Sequence, residues 1–396
     1  MTDCQEIESK YYIQISPRTP LTIVKGKGAR VWDDAGKEYL DFVAGWAVDS
    51  LGHCHPAVVE AITKQANTLI QTSNQYYTIP QLQLAQLLVE HSCLNRLYVC
   101  NSGAEACEGS VKLARRYGGL KLNGAYEVIT ALNSFHGRTL AMTAATGQEK
   151  FQKPYIPLPP GFKNVPYNDF EAIKAATSEK TCAVMLEPVQ GEGGVNIPAD
   201  DYLKKVRRWC DEKGIVLILD EVQTGIGRLG TLFGYEQFGI EPDIMPLAKG
   251  LGSGVPVGAF LAKQKFCVFA PAEHGSTFGG NPLTSAAAYA TVKYVIDNNI
   301  SAKVKETGAY LLKGLTVLKL KYPFVTDVRG RGLLTAIEFD SEIGADALNA
   351  CLERGLLVNR VKPNALRLMP PLIVGNREVD EALDILDKAL SSIGKK

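Results

Sequence analysis

Long hydrophobic runs are missing from this sequence. No uninterrupted apolar stretch approaches the ~20 residues that a membrane-spanning helix needs, and the mean hydropathy is −0.03. A surplus of either charge is missing too. The 43 Lys+Arg stand against 42 Asp+Glu, a net charge of +1, so nothing is left over to neutralise a phosphate backbone, which argues against a dedicated nucleic-acid binder. Cys-x-x-Cys pairs are absent and the cysteine count is odd at 9, which points away from a disulfide framework and a zinc ribbon. Most of these cysteines are expected to be small buried hydrophobes in a reducing compartment. There is no internal repeat, low-complexity tract or like-charge block. The opening MTDCQEIESKYYIQ lacks the basic and apolar regions of a secretory signal, so a cytoplasmic protein is expected. What remains is 46% hydrophobic and 21% charged, the balance of a globular chain and not of a disordered one.

A length of 396 residues suggests two or three domains. Short β-branched runs alternate with amphipathic segments through the middle of the chain, the pattern of βαβ units. Cys182–Leu186 reads as a buried strand ending at Glu187-Pro188. A helix follows Pro198, with Tyr202, Leu203, Val206, Trp209 and Cys210 on one face; Asp200 or Asp201 can cap it and Gly214 ends it. Ile215–Leu219 is then an unbroken apolar strand, as expected where both faces are covered, and it delivers Asp220 at its carboxyl end. Leu97–Cys100, Val128–Leu132 and Asp243–Leu247 likewise lead into Asn101, Phe135-His136 and Lys249. Ligands of open parallel sheets bind at such ends. After about residue 300 the pattern changes to that of a smaller α+β unit. The expected division is 1–50, packing with the small domain, a large α/β domain over 51–300, and a small α+β domain over 301–396.

Three features carry chemistry. Asp220 ends an apolar strand, where an unpaired carboxylate is costly. Its plain reading is a helix cap or a surface carboxylate, and the glycine-rich DEVQTGIGR that follows weakens the cap; its competitor is a metal held by Asp220 and Glu221. Lys249, in LAKGLGSGVPVGA, would be driven by a dry setting toward the neutral amine that condenses with an aldehyde, although alone it reads as a solvated loop lysine. GLGSG lacks the full phosphate-loop order, which excludes a nucleotide triphosphatase. Asn101-Ser-Gly-Ala-Glu-Ala106 is a strand-to-helix turn whose Gly103 and Ala104 amides and Ser102 hydroxyl face any anion there. Ser102 and Glu105 also form a capping box, and the two readings are compatible.

In this order the three resemble the class III pyridoxal-phosphate aminotransferases, over essentially the whole chain. The most specific stretch is LILDEVQTGIGRLGTLFGYEQFGIEPDIMPLAKGLGSGVPVGA (217–259), with Asp220 and Lys249 29 positions apart. LDFVAGWAVDSLGHCHP (40–56), NSGAEA (101–106), SFHGRT (134–139), EPVQGEGG (187–194) and STFGGNPL (276–283) support it. The resemblance implies fold type I, pyridoxal 5'-phosphate as cofactor and no metal. It implies that Lys249 holds the cofactor covalently and shuttles the proton, and that Asp220 keeps the pyridine nitrogen protonated. Gln223 would bond the ring hydroxyl. Val222 and Phe135 would cover the ring faces, with His136 beside them. Ser102, Gly103 and Ala104 would take the phosphate, joined by Thr277 from a neighbouring subunit, so that a homodimer is implied. Arg138 matches the arginine for the donor carboxylate, Arg367 the one for the α-carboxylate of 2-oxoglutarate, and Glu192 the glutamate that pairs with Arg367 while an ω-amino donor is bound.

Within the family, TSNQYYTIPQLQLAQLLV (72–89) is most similar to the acetylornithine branch. It places Tyr76 and Tyr77 at the pocket entry and implies N-acetylornithine as donor, in a ping-pong exchange with 2-oxoglutarate. Ornithine, 4-aminobutyrate, succinyldiaminopimelate and acylated lysine-pathway amines are the alternative donors. His53 and His55 in GHCHP read as a turn before a helix, not a metal pair. Two readings of another kind remain. A silent regulator would lack Lys249 or Asp220, and an aminomutase would not need the Glu192/Arg367 pair. Trp46 stands where a smaller or aliphatic residue is expected near the donor site. Cys107, Gly109 and Ser110 replace stronger helix formers, with an expected effect on local stability and not on chemistry.

Overall fold

The apolar runs of the middle of the chain form the centre of a seven-stranded sheet. The computed structural model describes residues 4–15 and 18–393; residues 1–3 and 394–396, the outer ends of the first and last expected units, lie outside them. Across the sheet the strands run Arg96–Cys100, Gly258–Ala262, Ile244–Leu247, Val216–Leu219, Thr181–Leu186, Glu127–Ala131 and Phe162–Val165. Gly258–Ala262 is antiparallel to both neighbours and every other pairing is parallel. Thr181–Leu186, Val216–Leu219 and Ile244–Leu247 are buried at every position. Parallel strands with helices on both faces read as unbroken apolar runs for this reason, and each fully buried side chain of this kind contributes roughly 1.5–3 kcal/mol.

The helix Tyr202–Lys213 buries Tyr202, Leu203, Val206 and Cys210 and ends on Gly214 in the left-handed region at φ 65°. Asp201 occupies its N-cap position without a side-chain cap bond; its carboxylate instead pairs with Lys205 at 2.7 Å, and Asp200 pairs with Arg331 at 3.0 Å.

Two smaller sheets flank the large one. Ile23–Lys27, Arg30–Asp33 and Glu38–Asp41 form an antiparallel meander whose last strand pairs in parallel with Leu356–Leu357. Val325–Arg331, Leu334–Phe339, Ala365–Leu368 and Asn359–Lys362 make an antiparallel sheet in that order. The helices Ile300–Lys321 and Gly344–Glu353 pack with these C-terminal strands, and Asn376–Ile393 packs against both helices. Among the described residues no helix is long and apolar enough to cross a membrane.

Candidate active site

The carboxyl ends of the parallel strands open onto a cavity of about 450 Å³. Every cofactor- and carboxylate-binding residue named from the sequence lines it except Thr277 and Arg367, and the two entry tyrosines, Tyr76 and Tyr77, do not. Arg367 is fully buried directly behind the cavity wall. Thr277 is exposed and contributes only its carbonyl, to Gln71 Nε2 at 2.6 Å, so within one chain it is not brought to the site.

One end of the cavity is the start of the helix Gly103–Lys121. The Ser102 hydroxyl accepts the Glu105 N–H at 3.2 Å, and Glu105 Oε2 accepts the Asn101 N–H at 2.8 Å, so the reciprocal bond of the expected capping box goes one residue before the Ser102 cap. The unpaired amides of the first turn, Gly103 and Ala104 among them, still face the cavity, where the helix terminus favours an anion. Position 103 must be glycine, because a Cβ there would lie 2.9 Å from Val222 Cγ1.

Asp220, 3% exposed, is held on both oxygens. Oδ1 accepts the Val222 N–H at 3.0 Å. Oδ2 lies 2.7 Å from His136 Nδ1 and 3.3 Å from Cys107 Sγ. Burial alone would lower the His136 pKa, but the hydrogen bond and charge of Asp220 outweigh it and raise the value. His136 Nε2 is buried with no partner. Burial, then the Asp220 charge, pushes the Cys107 thiol well above its ordinary range, so it stays a protonated donor. Cys107 is therefore more than the stability feature expected of it, since it touches the carboxylate at the heart of the site. Gly109 does have a packing reason, because a Cβ would meet Phe260 Cε1 at 2.3 Å. Cys107, His136 and Asp220 lie close enough to share an ion, yet Cys107 and His136 both already contact Asp220 Oδ2, and Oδ1 takes the Val222 N–H. Glu221 points away, accepting from Gly234 N, Tyr235 N and Thr224 Oγ1 at 2.7, 2.6 and 2.9 Å, so the Asp220–Glu221 metal reading falls.

Lys249 follows the strand Ile244–Leu247 and sits in the left-handed region at φ 39°, a strain that persists only where the surroundings enforce it. Its side chain is 20% exposed. Burial lowers the amine pKa; the Glu192 carboxylate, 3.9 Å away, opposes this in part. Glu192 Oε1 accepts from Arg367 Nη2 at 2.8 Å and from Gln223 Nε2 at 3.2 Å. Arg367 Nη1 donates to Gln223 Oε1 at 3.1 Å and Nη2 to Asn359 Oδ1 at 2.9 Å, while Nε has no partner. Burial would raise the Glu192 pKa, but the charges of Arg367 and Lys249 hold it below the ordinary value.

Arg138 lies at the exposed rim with its guanidinium 3.9 Å from the Phe151 ring centroid and 5.3 Å from that of Phe135, stacked and pre-aimed. His53 pairs with Asp41 at 2.8 Å and His55 caps the helix Pro56–Ala66, so the two histidines do not converge. Tyr76 and Tyr77 are exposed and do not line this chain's cavity. Trp46 stands 55% exposed in a run of four left-handed residues, Ala44 to Ala47. Each non-glycine member costs about 1–2 kcal/mol, and Asp41 Oδ1 anchors the run through Val43 N and Ala44 N, both at 2.9 Å.

Glu187 is the residue that sequence reasoning missed. It lines the cavity, and burial pushes its pKa up to about 7, with Phe135 N and Gly191 N each donating to it at 3.2 Å. The signal was available: it ends a fully buried strand, as Asp220 does.

The model of the family described as aminotransferase class-III matches residues 11–390. A protein of Caldanaerobacter subterraneus subsp. tengcongensis named acetylornithine aminotransferase is 52% identical over 387 residues, covering 98% of each chain. One of the same name from Methanocaldococcus jannaschii is 50% identical over 392 residues, again covering 98% of each. Among solved structures, the ornithine aminotransferase of Toxoplasma gondii ME49 superposes with a TM-score of 0.95 at 34% identity, over 99% of this chain and 95% of that one. A second structure of the Toxoplasma enzyme, with a TM-score of 0.94, 34% identity and the same coverage, has partial occupancy of PLP at its active site.

Proposed function

Since the chain belongs to the class III aminotransferases, a family of transaminases that pass an amino group from a small-molecule donor to a keto acid, we propose that it moves the δ-amino group of N2-acetyl-L-ornithine to 2-oxoglutarate. The products are N-acetyl-L-glutamate 5-semialdehyde and L-glutamate, in a ping-pong exchange of the kind arginine biosynthesis uses. The observation that carries this reading is the chain Lys249–Glu192–Arg367. It joins an amine whose pKa is lowered to a guanidinium that a removable carboxylate already occupies. The near-full-length relatives named above and the segment 72–89 support the acetylated donor.

Pyridoxal 5'-phosphate, when bound, supplies an electron sink that stabilises the carbanion formed when the donor loses its proton. The residues present fit it. Ser102, Gly103 and Ala104 take its phosphate at the helix start, and Asp220 holds a proton on the pyridine nitrogen, with His136 and Cys107 fixing the carboxylate. Phe135 and Val222 cover the ring faces. Gln223 Nε2 spends one proton on Glu192 and keeps the other for the ring hydroxyl. Lys249 would hold the cofactor, and its Nζ would be the base that carries the proton to and from the donor carbon.

Arg138 takes the carboxylate of the donor. With Glu192 on Arg367 that region is nearly neutral and admits the donor's uncharged arm. A dicarboxylate displaces Glu192 and gains the edge that Nη2 shares with the unpartnered Nε, a bidentate fork. The exposed Thr277, with Phe278, Tyr76 and Tyr77 also exposed, supports a homodimer in which each subunit's Thr277 completes the other's phosphate site. The division into 1–50 with 301–396, against 51–300, and a cytoplasmic location complete the reading.

The test is a donor panel at fixed 2-oxoglutarate, scored by glutamate formed. N-acetylornithine is expected to exceed ornithine, 4-aminobutyrate and succinyldiaminopimelate in kcat/KM by at least ~10-fold, the discrimination a fitted pocket gives. A different winner overturns the donor; glutamate from none of them overturns the whole reading.

A further inference from the structure

One sheet grips the loop of Glu192 with two arginines. Arg329 lies opposite Ala336, and Ala336 lies opposite Arg367. Residues directly opposite in antiparallel pairs project from the same face, so Arg329 and Arg367 stand on one face with a small, buried alanine between them. Arg367 takes the Glu192 carboxylate. Arg329 takes the backbone two and three residues on. Its Nε donates to Gly194 O and Val195 O, both at 3.1 Å, and its Nη2 to Gly194 O at 2.7 Å. Asp327 Oδ2 at 2.7 Å and Glu338 Oε2 at 2.6 Å aim the guanidinium.

The loop needs such a grip. Val195 is fully buried and left-handed at φ 57°, a conformation that is an outlier for a β-branched residue and is kept only where its surroundings over-determine it. The base is closed by Gln190 and Asn196, whose N–H groups donate to each other's carbonyls at 3.1 and 2.9 Å. Between that base and the Arg329 clamp, Glu192 is the one charged side chain of 190–196.

We propose that Arg329 is a positioning residue that pins this loop, so that Glu192 exchanges on and off Arg367 by side-chain rotation over a fixed backbone. Arg329 thereby sets the balance between amine donor and dicarboxylate. This rests on the roles proposed above for Glu192 and Arg367. Pinning favours the Glu192–Arg367 pair, which neutralises the pocket for the donor and competes with an incoming carboxylate. Loosening the loop must therefore move the two ligands in opposite directions, since a ligand shifts such an equilibrium only through its differing affinity for the two states.

The test uses the holoenzyme and glutarate, a dicarboxylate without a reactive carbonyl, titrated by calorimetry, beside the donor KM. In Arg329→Gln, glutarate is expected to bind ~5-fold tighter and the donor KM to rise ~5-fold. Arg329→Lys, which keeps the charge without the fork, should fall between that variant and wild type. Should Arg329→Gln fail to fold, Glu338→Gln, which loosens the aim of the guanidinium and keeps an amide oxygen for Asn364 Nδ2, must show the same opposed signs at smaller size. Both ligands weakening together, or neither changing, overturns the proposal and leaves Arg329 a structural tie. A wild-type protein that does not bind glutarate overturns the substrate reading first, and this inference with it.

Discussion

Lys249→Ala is expected to abolish multiple turnover, cutting kcat by at least ~10⁴-fold, because on the proposed reading it removes both the covalent anchor and the positioned proton carrier. The loss should be chemical and not structural. The Ser102–Ala104 helix start, the Asp220–His136 pair and the Val222 wall do not depend on the Lys249 amine, so the variant should still fold and bind pyridoxal 5'-phosphate non-covalently. Removing a strained left-handed lysine leaves another non-glycine residue in the same conformation, so little change in Tm follows. Steady-state glutamate formation, with equilibrium dialysis of the cofactor, checks both halves. Activity within tenfold of wild type would mean that another amine does the work.

Arg367→Ala should raise the KM for 2-oxoglutarate by ~100-fold, the equivalent of about 3 kcal/mol lost with a buried charge-assisted fork. The donor half-reaction should suffer much less, because Glu192 remains near Lys249 at 3.9 Å and Gln223 at 3.2 Å. Single-turnover kinetics of the two half-reactions separate the effects. Equal losses in both would show that Arg367 holds the fold of the site and does not select the acceptor.

Much of this architecture was legible in the chain because parallel strands covered on both faces leave unbroken apolar runs. Thr181–Leu186 and Val216–Leu219 differ from the expected strands by one residue at the start, and each is followed directly by a buried carboxylate that lines the cavity, Glu187 and Asp220. Register and side-chain direction were not legible. That Arg329 and Arg367 share a face follows from the pairing of three strands far apart in sequence. That Cys107 reaches Asp220 depends on how a helix lies across the sheet. Asp201 holds the cap position expected of it, but its carboxylate turns to Lys205, a competition between neighbours that spacing does not resolve. The left-handed run at Ala44–Ala47 has no sequence signal apart from Gly45, since alanine and tryptophan do not favour that region.

One spectrum tests whether the site takes its nitrogen from N-acetylornithine at the group proposed to sit on Lys249. Purified holoenzyme is scanned before and after N-acetylornithine is added, with no keto acid present. The visible band of the lysine-bound cofactor is expected to disappear while the shorter-wavelength band of its amine form rises, and 2-oxoglutarate is then expected to restore the first band. A visible band that persists at saturating N-acetylornithine would contradict that reading.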